Sequence, residues 1–504
     1  MTEVLSVLRF IGTMLLVLLV FNFIILVHEW GHFLAARWRG LKIEKFQIWM
    51  GNPIWKKTYN GVQYGLGWLP IGGFVALPQM APMEAIEGKT DGKAERLAPI
   101  KPIDKIIVAF AGPLFSALLA LFFAVLVSIV GKPQHPSERT TVIGYMDPDR
   151  AAAKSDLKLG DKILQIDGKT VTTFTGIYGS VQWAIASSQK NPIEFLIERP
   201  GQPAPIVVKV NADMSSDPDF VTHEKKTWWE KTIGRPPLRR VGIAAPMDCK
   251  VEAITVGSPA AEAGFEKGDI ITKIAGQPVM NSYMALENLA EKGGGKPIAL
   301  TALRAGKEVE LTLTPRAPLE PSDITRPLTG ISYELTDPKA IVMDKPNPFR
   351  LVYTAGANTV STLYALFSPS SHVKPAHMNG PVGILNLYYN IFQSEHAIRL
   401  VLYFSVILNV SLALFNLLPL PVLDGGHITF GLMEMIRGKA ANLKILEYLQ
   451  VACVLMLLGF VVFVSLKDVG GIAENSGGKG KELKFGPPVP PVAPTPVPLP
   501  AAPN

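Results

Sequence analysis

The stretch "FIILVHEWGHFLAARW" (residues 23–38) sets two histidines and a glutamate inside an apolar run. An ionisable side chain at membrane depth costs about 2.5–3.5 kcal/mol. Because His28 and His32 are four residues apart, they lie on one face of a helix, at a spacing that suits zinc. Glu29 stays free to accept a proton from water. We therefore predict a zinc site; the alternative is a structural role, with these groups satisfied by neighbouring helices or water.

Four segments are apolar and long enough to cross roughly 30 Å of hydrocarbon as helices. The mean hydropathy of +0.25 also favours a membrane protein. The net charge of +7 comes from 49 basic and 42 acidic residues dispersed along 504 positions, without the basic blocks that a nucleic-acid partner would require. The predicted spans are Val7–Trp38, Ile106–Val130, Ile398–Leu420 and Leu446–Leu466.

Basic residues gather at one end of these spans. Arg39 follows the first span, Lys101 and Lys105 precede the second, and Arg437 lies between the third and fourth. By the positive-inside rule these ends are cytoplasmic. We expect both termini and residues 131–395 on the opposite side, with the zinc site near the cytoplasmic side of the membrane.

A catalytic zinc takes three protein ligands and keeps one open position. The chain has only two cysteines, too few for a thiolate site. Asp424 is the only carboxylate in "NLLPLPVLDGGH" (residues 416–427), and Pro419 and Pro421 break any helix there. We predict that Asp424 is the third ligand; the alternative is a turn that leaves the membrane.

The long stretch between the second and third spans contains a repeat. "LGDKILQIDGKTV" (residues 159–171) and "KGDIITKIAGQPV" (residues 267–279) align without gaps at an offset of 108. In each copy Gly-Asp opens an alternating strand that is followed by a turn containing glycine. A period this long predicts two copies of a small β-rich domain.

Three further segments have distinctive compositions. Residues 61–78 are rich in glycine and aromatic residues, and we predict a β-hairpin that dips into the membrane. Residues 349–367 have an amphipathic pattern that suits the outer membrane surface or a packed helix. Residues 485–504 are rich in proline and predict an extended or disordered tail.

The HEWGH motif together with "NLLPLPVLDG" resembles the site-2 protease family of intramembrane zinc metalloproteases. The two repeats resemble PDZ domains, most closely in "VGSPAAEAGFEKGDIITKIAGQPV" (residues 256–279). Four spans with a PDZ pair between the second and third resemble the bacterial envelope-stress branch of that family, the regulator of sigma-E protease type. The resemblance runs from about residue 7 to 466.

The resemblance implies a role for each matching residue. One Zn²⁺ per chain would be held by His28, His32 and Asp424, with Glu29 as the general base. Asn416 would lie beside the bound peptide, and the hairpin around Gly72, Gly73 and Phe74 would pair with an unwound substrate. PDZ domains add an extended peptide or a C-terminus as a strand, although here they could also be simple spacers.

The fold class expected is a four-helix membrane protein with a membrane-associated β-hairpin and two extracytoplasmic β-rich PDZ domains. The expected domains are residues 1–130 with spans one and two, 131–225 as the first PDZ domain, 240–320 as the second, 321–395 as a following region with an amphipathic helix, 396–470 with spans three and four, and 471–504 as the tail.

The function expected is zinc-dependent cleavage of single-span membrane proteins within their transmembrane segment. By resemblance the substrates are a pre-trimmed anti-sigma factor and remnant signal peptides, in regulated intramembrane proteolysis and envelope stress signalling. The partners are therefore a membrane-protein substrate, the lipid bilayer and a peptide ligand of the PDZ domains. Two alternatives are a non-proteolytic PDZ scaffold and a zinc transporter.

Overall fold

A computed structural model of the chain describes residues 2–80, 100–214, 235–247, 249–320, 324–334, 341–439, 443–477 and 483–486. The chain forms two compact units. The helical unit comprises Met1–Gln134, Trp228–Pro236 and Val342–Glu474, and the β-rich unit comprises His135–Thr227, Pro237–Ile341 and Asn475–Asn504. The predicted proline-rich tail lies outside the described residues from residue 487 onward.

The described helices, in chain order, are α1 (Thr2–Trp38), α2 (Pro102–Val130), α3 (Val181–Ser187), α4 (Pro259–Glu262), α5 (Ser282–Lys292), α6 (Pro348–Phe367), α7 (Pro381–Phe392), α8 (Ala397–Asn416), α9 (Asp424–Arg437) and α10 (Leu443–Gly477).

The described strands are β1 (Lys45–Tyr59), β2 (Val62–Ala76), β3 (Lys132–Gln134), β4 (Tyr145–Met146), β5 (Lys162–Ile166), β6 (Lys169–Thr170), β7 (Ile193–Glu198), β8 (Ile206–Val210), β9 (Asp213–Met214), β10 (Arg239–Arg240), β11 (Ile243–Ala244), β12 (Lys250–Ile254), β13 (Ile270–Ile274), β14 (Gln277–Pro278), β15 (Ile298–Arg304), β16 (Lys307–Leu313), β17 (Ile331–Glu334) and β18 (Val342–Asp344).

Four of the described helices, α1, α2, α8 and α10, are long and apolar enough to cross a membrane. Their apolar windows fall within Val4–Trp38, Pro102–Val130, Ala397–Asn416 and Lys444–Ile472. Large apolar side chains such as Leu19 and Phe122 are exposed along these helices, as expected of surfaces that face lipid.

The core of the helical unit lies around α2. Ile24 of α1, Ala120 and Ala124 of α2, and Val406 of α8 are almost fully buried in one apolar cluster. Small residues on α2 let the neighbouring helices approach closely, which is how helices pack in the absence of a hydrophobic driving force. The helix that carries the HEWGH motif is thereby held against α2.

The segment with the amphipathic pattern forms α6. The side chain of Asn347 accepts hydrogen bonds from the N–H groups of Phe349 and Arg350 and so caps the helix. Leu351 and Ala355 are buried in the same cluster as α2, whereas Tyr353 on the other face is exposed. This packing accounts for the amphipathic pattern, and a position at the outer membrane surface remains a prediction.

The predicted hairpin bounds, residues 61–78, are wrong. Residues 62–76 form one strand, β2, and its partner is the preceding strand β1. Asn60 and Gly61 both have positive φ and form the two-residue turn that joins the strands. The prediction missed β1 because its lysines and Pro53 disrupt an alternating strand pattern.

Both strands bend, so that short parts of them pair more than once. Residues 45–48 pair on one side with residues 73–76 and on the other with residues 63–66. Residues 55–59 pair with residues 62–66. Within the part of the chain that the structure describes, residues 73–76 pair only with residues 45–48, which leaves an open strand edge.

The β-rich unit contains two similar β-structures, one from each sequence repeat. The first repeat (residues 141–212 and 239–245) has a sheet of order β6-β5-β7-β8, and the second repeat (residues 249–334) has the order β16-β15-β13-β12-β17. Corresponding strands β5 and β13 start 108 residues apart, as the sequence offset predicts. Each repeat has its own buried apolar core.

The repeat boundaries differ from those expected. Residues 239–245 belong to the first repeat, because Val241 and Ala245 are buried in its core and β11 pairs with β4. The second repeat continues past residue 320 to β17, which pairs with β12. In both repeats the C-terminal strand, β11 or β17, is separated in sequence from the strands before it, so local sequence patterns do not show which repeat it belongs to.

A buried aspartate and an arginine occupy the same place in both repeats. Asp161 and Asp269 are each fully buried, and each receives two hydrogen bonds from one guanidinium group. In the second repeat the donor is Arg304, at 2.8 and 2.7 Å. Burial opposes ionisation of Asp269, but Arg304 and the backbone N–H of Glu266 hold the pKa of that carboxyl below its usual value.

We expect Asp269→Asn to destabilise the second repeat by about 2 kcal/mol, because it removes charged hydrogen bonds to a buried group. Hydrogen exchange of β13 and β15 in the full-length protein measures this change. The pKa of Asp269 is lower in the folded protein than in the unfolded chain, so its carboxylate stabilises the second repeat at pH values above the unfolded pKa of about 3.9. This stabilisation is lost as the pH falls through the folded pKa.

The matched control is Lys273→Ala, which removes an exposed ion pair with Glu308 in the same sheet. We expect a change of at most about 1 kcal/mol for this variant. Equal effects of the two substitutions would contradict a special role for the buried pair.

Candidate metal centre

Helix α1 carries His28 and His32 on the face that packs against α2. The two Nε2 atoms are 3.3 Å apart, and His28 is 7 % exposed. The helical spacing of four residues stacks the rings one turn apart, as the sequence predicts. Both rings therefore direct a nitrogen towards the same point.

Asp424 reaches that point from the other end of the chain. It is the first residue of α9 and follows a non-helical loop that begins after α8 ends at Asn416. Its Oδ2 lies 3.3 Å from Nε2 of His28, and its Oδ1 lies 3.3 Å from Nε2 of His32. The structure thus brings together the three residues that the sequence predicts as metal ligands.

The separation of the two histidine nitrogens fits a tetrahedral zinc ion, and the Asp424 carboxylate lies close enough to both to be a third ligand. Ligands about 2.0–2.1 Å from zinc at tetrahedral angles lie about 3.3–3.4 Å from each other. The two Nε2 atoms are 3.3 Å apart, and each lies 3.3 Å from one oxygen of the Asp424 carboxylate, Oδ2 for His28 and Oδ1 for His32. Two imidazoles and one carboxylate are also a donor set of catalytic zinc sites, which retain an open position.

A second layer of contacts fixes both imidazole rings. His32 Nδ1 donates a hydrogen bond to the carbonyl oxygen of Val108 at 2.8 Å, which leaves the Nε2 lone pair available. His28 Nδ1 lies 2.9 Å from Oγ of Ser116, which is fully buried. Ser116 was not predicted as a site residue; its signal in the sequence is a hydroxyl at membrane depth in α2.

Helix α2 can approach the histidines because residue 112 is glycine. A Cβ atom at Gly112 would lie 2.8 Å from Nε2 of His28 and closer still to Nε2 of His32. Any larger residue would therefore occupy the space where the ligand atoms meet. Gly31 plays a similar part on α1, since a Cβ there would lie 2.9 Å from the Phe115 side chain.

The loop before Asp424 packs closely against two glycines at the start of α9 and is bonded to α10. A Cβ on Gly425 or Gly426 would collide with carbonyl oxygens of the loop. Gln450 is 1 % exposed and donates a hydrogen bond from Nε2 to the carbonyl oxygen of Pro421 at 3.3 Å. Sequence reasoning missed Gln450, although a polar residue in an apolar span was a signal. His427 is also buried but lies outside the group of three ligand atoms.

The other predicted site residues lie at different distances from the ligands. Asn416 Nδ2 is 3.4 Å from Nε2 of His28. Glu29 is half-buried, and a Cβ built on Gly73 would lie 3.2 Å from its Cγ. Gly73 belongs to the open edge at residues 73–76, so this edge runs past Glu29. Gly72 has φ +71 and borders Met50, one residue before that edge.

Apolar helices of membrane-spanning length around a His-His-Asp cluster of buried and half-buried residues, with a glutamate beside it, define a membrane metalloprotease. The sequence model of Peptidase family M50 matches residues 16–460. The chain therefore belongs to Peptidase family M50 and is a zinc metalloprotease.

Two relatives cover nearly the whole chain. The Regulator of sigma-E protease RseP of Salmonella typhimurium is 27 % identical over 470 residues, which are 87 % of this chain and 95 % of the relative. The protein of the same name in Escherichia coli is 26 % identical over 474 residues, again 87 % and 95 %. Among solved structures, the PDZ domain of an SdrC-like protein from Listeria monocytogenes aligns with 17 % of this chain and 87 % of its own, at 21 % identity and a TM-score of 0.15.

We expect Gly112→Ala to lower the zinc content of the purified protein at least tenfold, because the new methyl group would displace the ligating nitrogens. Metal analysis of detergent-purified protein measures the change. The matched control is Gly459→Ala in α10, where a Cβ meets nothing within 4 Å. Zinc retained at the wild-type level in Gly112→Ala would contradict the close packing of α2 on the ligands.

Proposed function

We propose that this protein is an intramembrane endopeptidase that cleaves single-span membrane proteins within their transmembrane segment. The observation that carries the proposal is the meeting of His28, His32 and Asp424 beside an open strand edge and Glu29. Membership of Peptidase family M50 and the names of the RseP relatives support it. By analogy with those relatives, the setting is regulated intramembrane proteolysis in envelope stress, with a pre-trimmed anti-sigma factor and remnant signal peptides as substrates.

We assign one zinc ion per chain to His28, His32 and Asp424. The ion, when bound, supplies a Lewis acid that polarises a carbonyl and lowers the pKa of water. The fixed Nδ1 partners of the histidines support this assignment, because such contacts orient metal-binding imidazoles.

Glu29 is the general base in this proposal. Its position in α1, one residue after His28, puts a carboxylate beside the ligands without making it one of them. It would accept a proton from the attacking water and return it to the amine that leaves. A half-buried carboxylate next to two histidines suits this role because it can exchange protons while shielded from bulk water.

Asn416 would orient the substrate backbone. Its amide lies 3.4 Å from the ligating nitrogen of His28, at the end of α8. An amide can donate to a peptide carbonyl and accept from a peptide N–H, so it can hold an extended chain beside the metal. A donor at this position could also stabilise negative charge that develops on the scissile carbonyl.

The edge at Gly73 and Phe74 would accept the substrate as an added strand. A transmembrane helix hides its carbonyl groups in its own hydrogen bonds, so the scissile region must become extended before attack. In a membrane the freed backbone groups need new partners. The open edge at residues 73–76 can supply them, and Gly73 brings that edge against the Glu29 side chain.

We infer that the two repeats are PDZ domains on the extracytoplasmic side. Their sequence likeness, their equivalent sheets and the equivalent Asp-Arg pairs support two copies of one domain. The basic residues at the opposite ends of the spans support an extracytoplasmic position in a bacterial inner membrane protein. In each repeat an extended peptide could add to an exposed strand edge.

We expect Glu29→Gln to abolish cleavage of a single-span substrate while zinc is retained. Loss of a general base lowers rates by about 10²–10⁴-fold, and the amide preserves the shape of the side chain. Purified wild-type and variant proteins are compared in one cleavage assay, with metal analysis of the same samples.

The matched control is Glu447→Gln, the same change on the exposed face of α10. It should leave both cleavage and zinc unchanged. Cleavage by Glu29→Gln at the rate of the control would contradict the assignment of the base.

A further inference from the structure

The short segment Leu483 to Gly486, after α10, contacts the second repeat. The backbone N–H of Leu319 donates to the carbonyl oxygen of Lys484 at 2.7 Å. The N–H of Lys484 in turn donates to the carbonyl oxygen of Glu320 at 2.9 Å. These bonds form an antiparallel β-bridge between Lys484 and Glu320. The segment is therefore added to the second repeat as a minimal strand.

Arg316 anchors the same segment from the side. Its Nη2 atom donates to the carbonyl oxygen of Gly486 at 3.0 Å, and its guanidinium carbon lies 5.8 Å from the centre of the Phe485 ring. The arginine side chain is only 16 % exposed. Glu262 holds it through two hydrogen bonds of 2.6 Å, so the guanidinium group is fixed by the second repeat itself. A charge held in place in this way can bind a peptide carbonyl and an aromatic ring with little loss of entropy.

Apolar contacts complete the docking site. A Cβ on Gly486 would lie 3.2 Å from the Leu319 side chain, and a Cβ on Gly330 would lie 3.4 Å from the Phe485 ring. Gly330 immediately precedes β17, an edge strand of the second repeat. The ion pair between Lys484 and Glu320 is exposed on both sides and adds little. Backbone pairing, Arg316 and Phe485 therefore account for the contact.

We propose that residues 483–486 are a built-in ligand of the second repeat. The partner that this surface fits is thus the chain's own C-terminal segment, with an aromatic residue followed by glycine. In the sequence only residues 478–482 separate this segment from α10.

Disulfide trapping in the full-length protein tests the docking. Leu319→Cys and Gly486→Cys place two sulfur atoms within bonding reach, because the Gly486 Cβ position is 3.4 Å from Cγ of Leu319. The control pairs Gly486→Cys with Leu159→Cys, since Leu159 is a similarly exposed leucine on the first repeat. We expect the Leu319 pair to form a disulfide at least tenfold faster than the control pair under mild oxidation.

A third substitution separates docking from chance collision. Lys484→Pro removes the N–H that bonds to Glu320 and should slow trapping at least fivefold. Lys484→Ala keeps that N–H and should leave trapping unchanged. Equal trapping of the Leu319 and Leu159 pairs, or no effect of Lys484→Pro, would overturn the proposal. Because these changes lie outside the metal centre, retained cleavage of substrate shows that each variant is folded.

Discussion

The structure depends on one meeting of polar atoms: two imidazole nitrogens and a carboxylate that come together at 3.3 Å separations inside a bundle of apolar helices. Buried charges are stable only when they are paired, hydrogen-bonded or bound to a metal. His28 and His32 come from one helix, but Asp424 lies almost four hundred residues later. The fold of the helical unit brings that carboxylate into contact with the two histidines.

Several features of the helical unit serve this purpose. Gly112 lets α2 approach His28 and His32, and the carbonyl of Val108 and the hydroxyl of Ser116 fix the two imidazole rings. Proline breaks the helical hydrogen bonding before Asp424, and Gln450 binds a backbone carbonyl of that loop. Because of this break, a loop and a strand edge border the cluster, and the proposed extended substrate would bind there. An intact helix would offer no free backbone groups to such a substrate.

Much of this arrangement could be predicted from the sequence. Spacing of four residues places His28 and His32 on one helical face, and Asp424 is the only carboxylate in its segment. Strand β1 could not be predicted, because Pro53 and the lysines of β1 disrupt an alternating strand pattern. The strand forms because it pairs with β2. The expected start of the second domain at residue 240 is wrong, because residues 240–245 join the first repeat across a long separation in sequence from its other strands. Gln450 and Ser116 were missed because a single polar residue in a span does not reveal its partner.

X-ray absorption at the zinc edge of the purified full-length protein tests the central claim most directly. We predict one zinc ion per chain with nitrogen and oxygen neighbours only, including two imidazoles, and loss of this signal in Asp424→Ala. Sulfur in the first coordination shell, or an unchanged spectrum in Asp424→Ala, would contradict the account. Either result would mean that the distant carboxylate does not complete the site formed by the two histidines.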